Sequence, residues 1–175
     1  MENKEKYKEI EGDLFKEIFS EQYDVTLQGV NAFCTQGAGI VIPFKKYFGT
    51  DTFPMELTGK GDINKLGQID WQLFTIVDGE PNTWLPDSTK GRDLYVVNCY
   101  SQFHYGKNHL DWTDRPADYE ALTLCLRKIN YKFKGLKVVM PLICGGLAGG
   151  DINIIRQIIE IELKDCYVTL VLYKK

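Results

Sequence analysis

Val138-Val139-Met140-Pro141-Leu142-Ile143-Cys144-Gly145-Gly146-Leu147-Ala148-Gly149-Gly150-Asp151 is an apolar run that opens into a glycine-rich turn and then feeds a helical pattern. The order is strand, loop, helix. Four of the six positions from Gly145 to Gly150 are glycine, so the backbone lacks Cβ cover and successive N–H groups can face one concave point. A helix starting at Asp151 adds the positive end of its dipole there. Such a turn is either an anion cradle or only a tight link between a strand and a helix.

A second stretch repeats the arrangement. Leu27-Gln28-Gly29-Val30-Asn31-Ala32-Phe33-Cys34-Thr35-Gln36-Gly37-Ala38-Gly39-Ile40 has an alternating strand before it and a helical stripe after it. In an open α/β sheet, ligands sit beyond the carboxyl ends of the parallel strands. Those ends are here Gly29 to Asn31, Cys99 to Gln102, Ile143 to Gly150, and Tyr173. Both glycine loops therefore share one rim, as two walls of a phosphate pocket. Gly37-Ala38-Gly39-Ile40-Val41-Ile42 lacks the third glycine of a dinucleotide fingerprint, and no acidic residue follows at the ribose position. Hydride transfer is disfavoured.

The totals agree with a small-ligand protein. A chain of 175 residues, 44% hydrophobic, suits one domain over 1–175 that buries a core without staples. A net charge of -3 argues against gripping a nucleic-acid backbone. Five cysteines include no C-x-x-C pair, and Cys99, Cys125 and Cys166 fall within apolar patterns, as reduced core residues of a cytoplasmic protein do. His104 and His109 are the only histidines, too few for a zinc set with the usual spacing. No apolar run is long enough to cross a bilayer and no targeting peptide precedes the chain. The expectation is a soluble cytoplasmic monomer without membrane contact.

Residues 1 to 5 are charged and expected to fray. Tyr7 to Glu11 reads as a short edge strand, and Gly12-Asp13-Leu14-Phe15 starts a short helix through about Phe19, with Asp13 as N-cap. Asp24 to Val30 is a strand with Val25, Leu27 and Gly29 on one face and Thr26 and Gln28 on the other. Ile40, Val41, Phe44, Tyr47 and Phe48 recur at helical spacing, and Pro43 fits the first turn if the helix begins near Gly39. Asp51 to Lys60 reads as a short helix broken by Gly59 and Gly61. Lys65 to Val77 reads as a strand, Ile69, Trp71 and Leu73 opposite Asp70 and Gln72, closed by Asp78-Gly79-Glu80-Pro81. Asp93 to Cys99 returns, apolar on both faces.

Tyr100 to Thr113 is an aromatic loop that either rims a pocket or forms a solvated flap. Asp114 with Pro116 opens a long helix that puts Tyr119, Leu122, Leu126, Ile129 and Phe133 on one face. Leu136 to Ile143 is a buried strand, Asp151 to Leu163 a helix, and Tyr167 to Tyr173 a strand apolar on both faces. This order requires parallel strands and right-handed crossovers. The expected fold class is α/β, a three-layer α/β/α sandwich over a mixed sheet, parallel at its centre and antiparallel at an edge.

Gly12-Asp13-Leu14-Phe15, then Val30-Asn31 with Gly37-Ala38-Gly39-Ile40, then Pro141 through Asp151 follow the order of motifs in the macrodomain, the ADP-ribose-binding module. The sequence resembles that family along nearly its whole length. It is similar in particular to small stand-alone macrodomains of bacteria and phages, and to the branch that dephosphorylates ADP-ribose-1″-phosphate. The resemblance implies a macrodomain fold, ADP-ribose or a derivative as ligand, and no cofactor. It implies that Asp13, beside Leu14, accepts from the adenine amino group and that Asn31 holds the distal ribose. Gly37, Ala38, Gly39 and Ile40 would touch diphosphate and distal ribose, while Cys144, Gly145, Gly146, Leu147, Ala148 and Gly149 wrap the diphosphate. Tyr173 would pack near the adenine or proximal ribose. Backbone N–H groups can satisfy a buried diphosphate without a counter-charge.

Two departures accompany the resemblance. The branch that clears ADP-ribose from glutamate uses a lysine and an aspartate where this chain has Asn98-Cys99 and Ala148, and the phosphatase branch has a histidine where this chain has Gln28. Hydrolysis at the distal ribose still needs an oriented water and stabilisation of the departing charge. The candidates are Asn31 as orienter, Asp151 as base and His104 as acid or base. Each has a second reading: Asn31 turns the loop, Asp151 caps the last helix, and His104 sits in solvent. The functions open to the chain are an ADP-ribose-1″-phosphate phosphatase, a hydrolase removing ADP-ribose from protein, nucleic acid or an acetyl group, and a non-catalytic reader of ADP-ribose.

Overall fold

The computed structural model describes residues 5–20, 22–53, 59–82 and 91–174, so residues 1–4 of the segment expected to fray lie outside the described residues. Seven strands among the described residues form one sheet: β1 (Tyr7–Gly12), β2 (Val25–Asn31), β3 (Ile69–Val77), β4 (Glu80–Asn82), β5 (Arg92–Gln102), β6 (Lys137–Pro141) and β7 (Tyr167–Tyr173). Their spatial order is β1-β7-β6-β2-β5-β3-β4. The first five in that order run parallel, and β3 and β4 close the far edge antiparallel. The β3–β4 hairpin turns on Asp78 (φ 50°) and Gly79 (φ 76°), the Asp-Gly pair that such left-handed turns select.

Four helices among the described residues cover the sheet. They are α1 (Leu14–Phe19), α2 (Val41–Phe48), α3 (Tyr119–Lys132) and α4 (Ile152–Glu162). Leu122, Leu126 and Ile129 of α3 and Ile155 and Ile159 of α4 bury against Val25, Leu27, Val97, Val138 and Met140. On the other face Leu14, Ile18, Phe44 and Phe48 of α1 and α2 meet Phe74, Val96, Val139 and Val171. The expected three-layer arrangement is what forms, because β6 and β7 are apolar on both faces and β2 is buried on both, with Thr26 and Gln28 on its second face, so each side of the sheet needs cover. All five cysteines are free thiols, and Cys99, Cys125 and Cys166 are buried. No helix among the described residues is long and apolar enough to cross a membrane.

Four expectations about elements need correction, and a fifth falls largely outside the described residues. Of the helix expected over Asp51 to Lys60, residues 54–58 lie outside the described residues, and the described part opens in a 3-10 turn at Thr50–Thr52. The strand expected from Lys65 begins at Ile69, and Lys65 itself closes a 3-10 turn at Ile63–Lys65. The returning strand runs past Cys99 to Gln102, because Tyr100 and Gln102 pair with Val30 and Asn31 of β2. The helix expected to open at Asp114 begins at Tyr119, where the Asp118 carboxylate accepts from the Ala121 N–H. The strand expected over Leu136 to Ile143 covers only Lys137–Pro141, since Leu142 and Ile143 already belong to the turn.

Candidate functional site

β2 and β6 are parallel neighbours, Val25 beside Val138 and Thr26 beside Val139. The loops that leave their carboxyl ends are therefore adjacent. A Cβ built on Gly39 would stand 3.7 Å from Leu147 Cδ1, so the two loops touch. Along the rim the order is Asp13 after β1, Tyr173 at the end of β7, the second glycine loop after β6, the first after β2, and the connection after β5.

The first loop is shaped by Asn31. Its side chain, 6% exposed, accepts from the N–H of Phe33 (3.1 Å) and Thr35 (3.2 Å) and donates to the Thr35 carbonyl (2.7 Å). Cys34 is thereby held at φ 58°, a conformation costly for a side-chain-bearing residue. Beyond it, the N–H groups of Gly37, Ala38, Gly39 and Ile40 have no acceptor among the described residues. The helix α2 that follows has Ile40 at its N-cap position and no side-chain cap. Its positive end stays open toward the loop.

The second loop is closed by its own backbone. The Gly150 N–H donates to the Cys144 carbonyl at 2.8 Å and that of Gly149 to Gly146 at 3.0 Å. Three consecutive N–H groups, those of Gly146, Leu147 and Ala148, find no acceptor among the described residues. Asp151, however, caps α4 with Oδ1, accepting from Asn153 (2.8 Å) and Ile154 (3.1 Å). The dipole end that the sequence assigned to this loop is thus already satisfied. Burial pushes the Cys144 thiol up to about 12, which leaves no thiolate for nucleophilic work near neutral pH.

Asp13 caps α1, Oδ1 accepting from Phe15 (2.8 Å) and Lys16 (3.3 Å). It lines a hollow of about 350 Å³ with Leu14, Ile40, Tyr47, Pro141 and Tyr173. Tyr173 is 82% exposed and so offers a ring face to whatever enters. A larger hollow of about 610 Å³ lies at the amino ends of the strands, lined by Lys8, Tyr23, Asp24, Arg92, Lys137 and Tyr167. There the N–H groups of Asp24, Gly135, Lys137, Tyr167 and Val168 all have acceptors, and Arg92 pairs with Asp24 at 3.0 Å. It is the less suited of the two to an anion, despite its size.

The remaining candidates fall as follows. His104 stacks at 5.7 Å and 18° on Phe33 and meets Phe103 edge-on at 4.7 Å, so it belongs to an aromatic cluster at the root of the first loop and is half-buried. Gln28 is fully buried and donates to Asn98 Oδ1 at 2.9 Å, and Asn98 donates to the Thr50 carbonyl at 2.9 Å. Cys99 is buried on the opposite face. Gln28, Asn98 and Cys99 are buried and do not open onto the rim.

Sequence reasoning missed a buried polar group beneath the first loop. Lys65 is 1% exposed, with its ammonium 5.7 Å from the Tyr100 ring centre. The Tyr100 hydroxyl donates to Asp70 Oδ2 at 2.6 Å and lies 3.9 Å from Cys34 Sγ. Burial pushes the Asp70 carboxyl up, against the pull of Tyr100, Asn98 and Lys65. The open end of α2 was also missed, although its signal was present: no Ser, Thr, Asp or Asn stands at position 40. Among the described residues no group of His, Cys, Asp or Glu is placed to hold a metal.

No family model and no curated protein matches this sequence. Solved structures do. A Bacteroides thetaiotaomicron protein of unknown function is similar at TM-score 0.63 and 24% identity, over 95% of this chain and 97% of that one. The macrodomain of Mycobacterium tuberculosis DarG is similar at TM-score 0.60 and 18% identity, over 97% of each chain. Thermosipho africanus DarTG in complex with ADP-ribose is similar at TM-score 0.62 and 18% identity, over 95% of this chain and 41% of that one. At these identities the likeness is one of fold.

Proposed function

The chain has the macrodomain fold, and from that premise we propose that it binds ADP-ribose or a derivative along the carboxyl rim and hydrolyses the group carried on the distal ribose. One observation carries this reading: two touching loops on one rim hold runs of N–H groups without acceptors among the described residues, Gly37 to Ile40 and Gly146 to Ala148. Such groups suit a diphosphate. The adenine then lies in the hollow beside Asp13 and Tyr173, the diphosphate on the loops, and the distal ribose by Asn31.

The reaction read first is release of phosphate from ADP-ribose-1″-phosphate. Asp151 spends Oδ1 on the cap, and its other oxygen takes the proton of the attacking water. Asn31 keeps the first loop in place, and His104 donates to the leaving oxygen. A second reading, removal of ADP-ribose from an acceptor, is favoured by the charge of the β5–α3 connection. Lys107 and Arg115 there are outnumbered by Asp111, Asp114 and Asp118, so it offers a terminal phosphate no net cation. In either case the protein acts as a single domain over 1–175 and as a cytoplasmic monomer.

Incubation with ADP-ribose-1″-phosphate and with ADP-ribosylated protein separates the two. Phosphate release supports the first and loss of the modification the second. Micromolar binding of ADP-ribose without turnover of either substrate removes hydrolysis and leaves a reader. Equal affinity for ATP and ADP-ribose contradicts the whole reading.

A further inference from the structure

We propose that Trp112, in the connection between β5 and α3, is a specificity-determining residue that stacks on a planar ring attached to the distal ribose. This rests on the ADP-ribose reading above and narrows its substrate class. A ligand that starts at Asp13 beyond β1 and crosses both glycine loops ends at β5. That distance is four inter-strand steps, roughly 19 Å at the usual strand spacing.

The connection is fixed to both loops at that end. The Ala32 N–H donates to the carbonyls of Gln102 (3.1 Å) and Phe103 (3.2 Å), and the Ala117 N–H donates to the Ala148 carbonyl at 3.0 Å. Gln102 and Ala117 pair across its base. Within it Thr113 folds the chain back, its hydroxyl on the Leu110 and Arg115 carbonyls at 3.2 and 2.9 Å.

Trp112 is 65% exposed, so its ring adds little to the core. Its indole N–H nevertheless donates to Asp118 Oδ2 at 3.3 Å. Asp118 is 7% exposed and needs only Oδ1, which accepts from Ala121 at 3.0 Å, to cap α3. An exposed side chain so restrained gives up rotamer freedom without burying area, which is the signature of a surface organised in advance for a ligand. Because the connection carries two basic and three acidic side chains and so no net positive charge, the ring is what this surface offers. A planar ring gains from stacking on it and a bare phosphate does not.

The test is calorimetry with ADP-ribose, ADP-ribose-1″-phosphate and NADH, whose neutral dihydronicotinamide ring sits on the distal ribose. Trp112→Ala should weaken NADH about fivefold or more and leave the other two within about twofold. Trp112→Phe should keep most of the NADH affinity while reducing the energy transfer from indole to the bound ring, Trp71 and Trp84 remaining as donors. Asp118→Asn, which retains a capping oxygen but cannot accept the indole N–H, should give an intermediate loss for NADH only. Wild-type protein that binds ADP-ribose but not NADH, or Trp112→Ala weakening all three ligands equally or none, overturns the inference while the ADP-ribose reading stands. Failure of wild-type protein to bind ADP-ribose overturns both.

Discussion

The two glycine loops leave neighbouring parallel strands and touch at Gly39 and Leu147, yet they are held by different means. The first is shaped by one side chain, Asn31, and runs into a helix whose N-terminus has no side-chain cap. The second is shaped by its own backbone, Gly150 against Cys144, and runs into a helix capped by Asp151. The difference assigns the work of binding an anion unequally. The first loop supplies N–H groups and an open helix dipole, and the second supplies N–H groups on a rigid wall.

The largest effect is expected where the wall has no slack. A Cβ on Gly150 would lie 2.6 Å from the Cys144 carbonyl oxygen and 2.8 Å from Ile155 Cδ1. Gly150→Ala should therefore cost about 3 kcal/mol, seen as a Tm lower by roughly 6–12 °C. An unchanged melt would mean that the second loop is not closed in this way. Gly146, in the same loop, has nothing within 4 Å of a built Cβ. Gly146→Leu should melt within about 0.5 kcal/mol of wild type but lose at least about tenfold in ADP-ribose affinity, about 1.4 kcal/mol. Normal binding by that variant would move the diphosphate off this loop.

The first loop can be given the charge that the second already has. Ile40→Asp places a carboxylate at the open end of α2, where an anion is worth about 0.3–1 kcal/mol. Stability should rise slightly and ADP-ribose binding fall two- to fivefold by calorimetry, about the same energy. Tighter binding would show that the end of α2 does not face the ligand.

The smallest effect concerns how α4, behind the second loop, is tied to β1. Arg156 forks onto Glu9 at 2.7 and 2.9 Å, and this contact lowers the Glu9 carboxyl below its usual 4.5. A depressed carboxyl stabilises the fold above its unfolded pKa and loses that contribution as pH falls through the folded value. Both groups are about one-third exposed or less, so the pair is worth less than about 1 kcal/mol. Glu9→Gln should show this deficit in urea melts at pH 7 and lose it by about pH 3. The same deficit at both values would place its origin elsewhere.

Much of this was legible because the signals are local. The limits of β7, Tyr167–Tyr173, follow from alternation of apolar residues between turns, and the Asp13 cap and the placement of Pro43 in α2 follow from helix-end chemistry. What escaped depends on distant partners. Tyr100, Ser101 and Gln102 look like the start of a loop until β2 and the Gly67–Gln68 backbone pair with them. Lys65 looks like a surface residue until Asp70 and Tyr100 surround it. Asp114 and Asp118 carry the same capping chemistry, and only the bond from the Asp118 N–H to the Ser101 carbonyl shows where α3 begins. In the candidate site, both loops and Asp13 could be read from glycine spacing and helix caps. The restraint on Trp112 could not, since it joins residues whose relation is set by a folded turn.

The most direct measurement is a titration of the ¹⁵N-labelled protein with ADP-ribose, followed by amide spectra. The signals of Gly37 to Ile40 and of Gly146 to Ala148 should move together, with one dissociation constant for both sets. Movement in only one loop, or at the Lys8, Arg92 and Lys137 hollow in place of both, would contradict a diphosphate shared between the two loops.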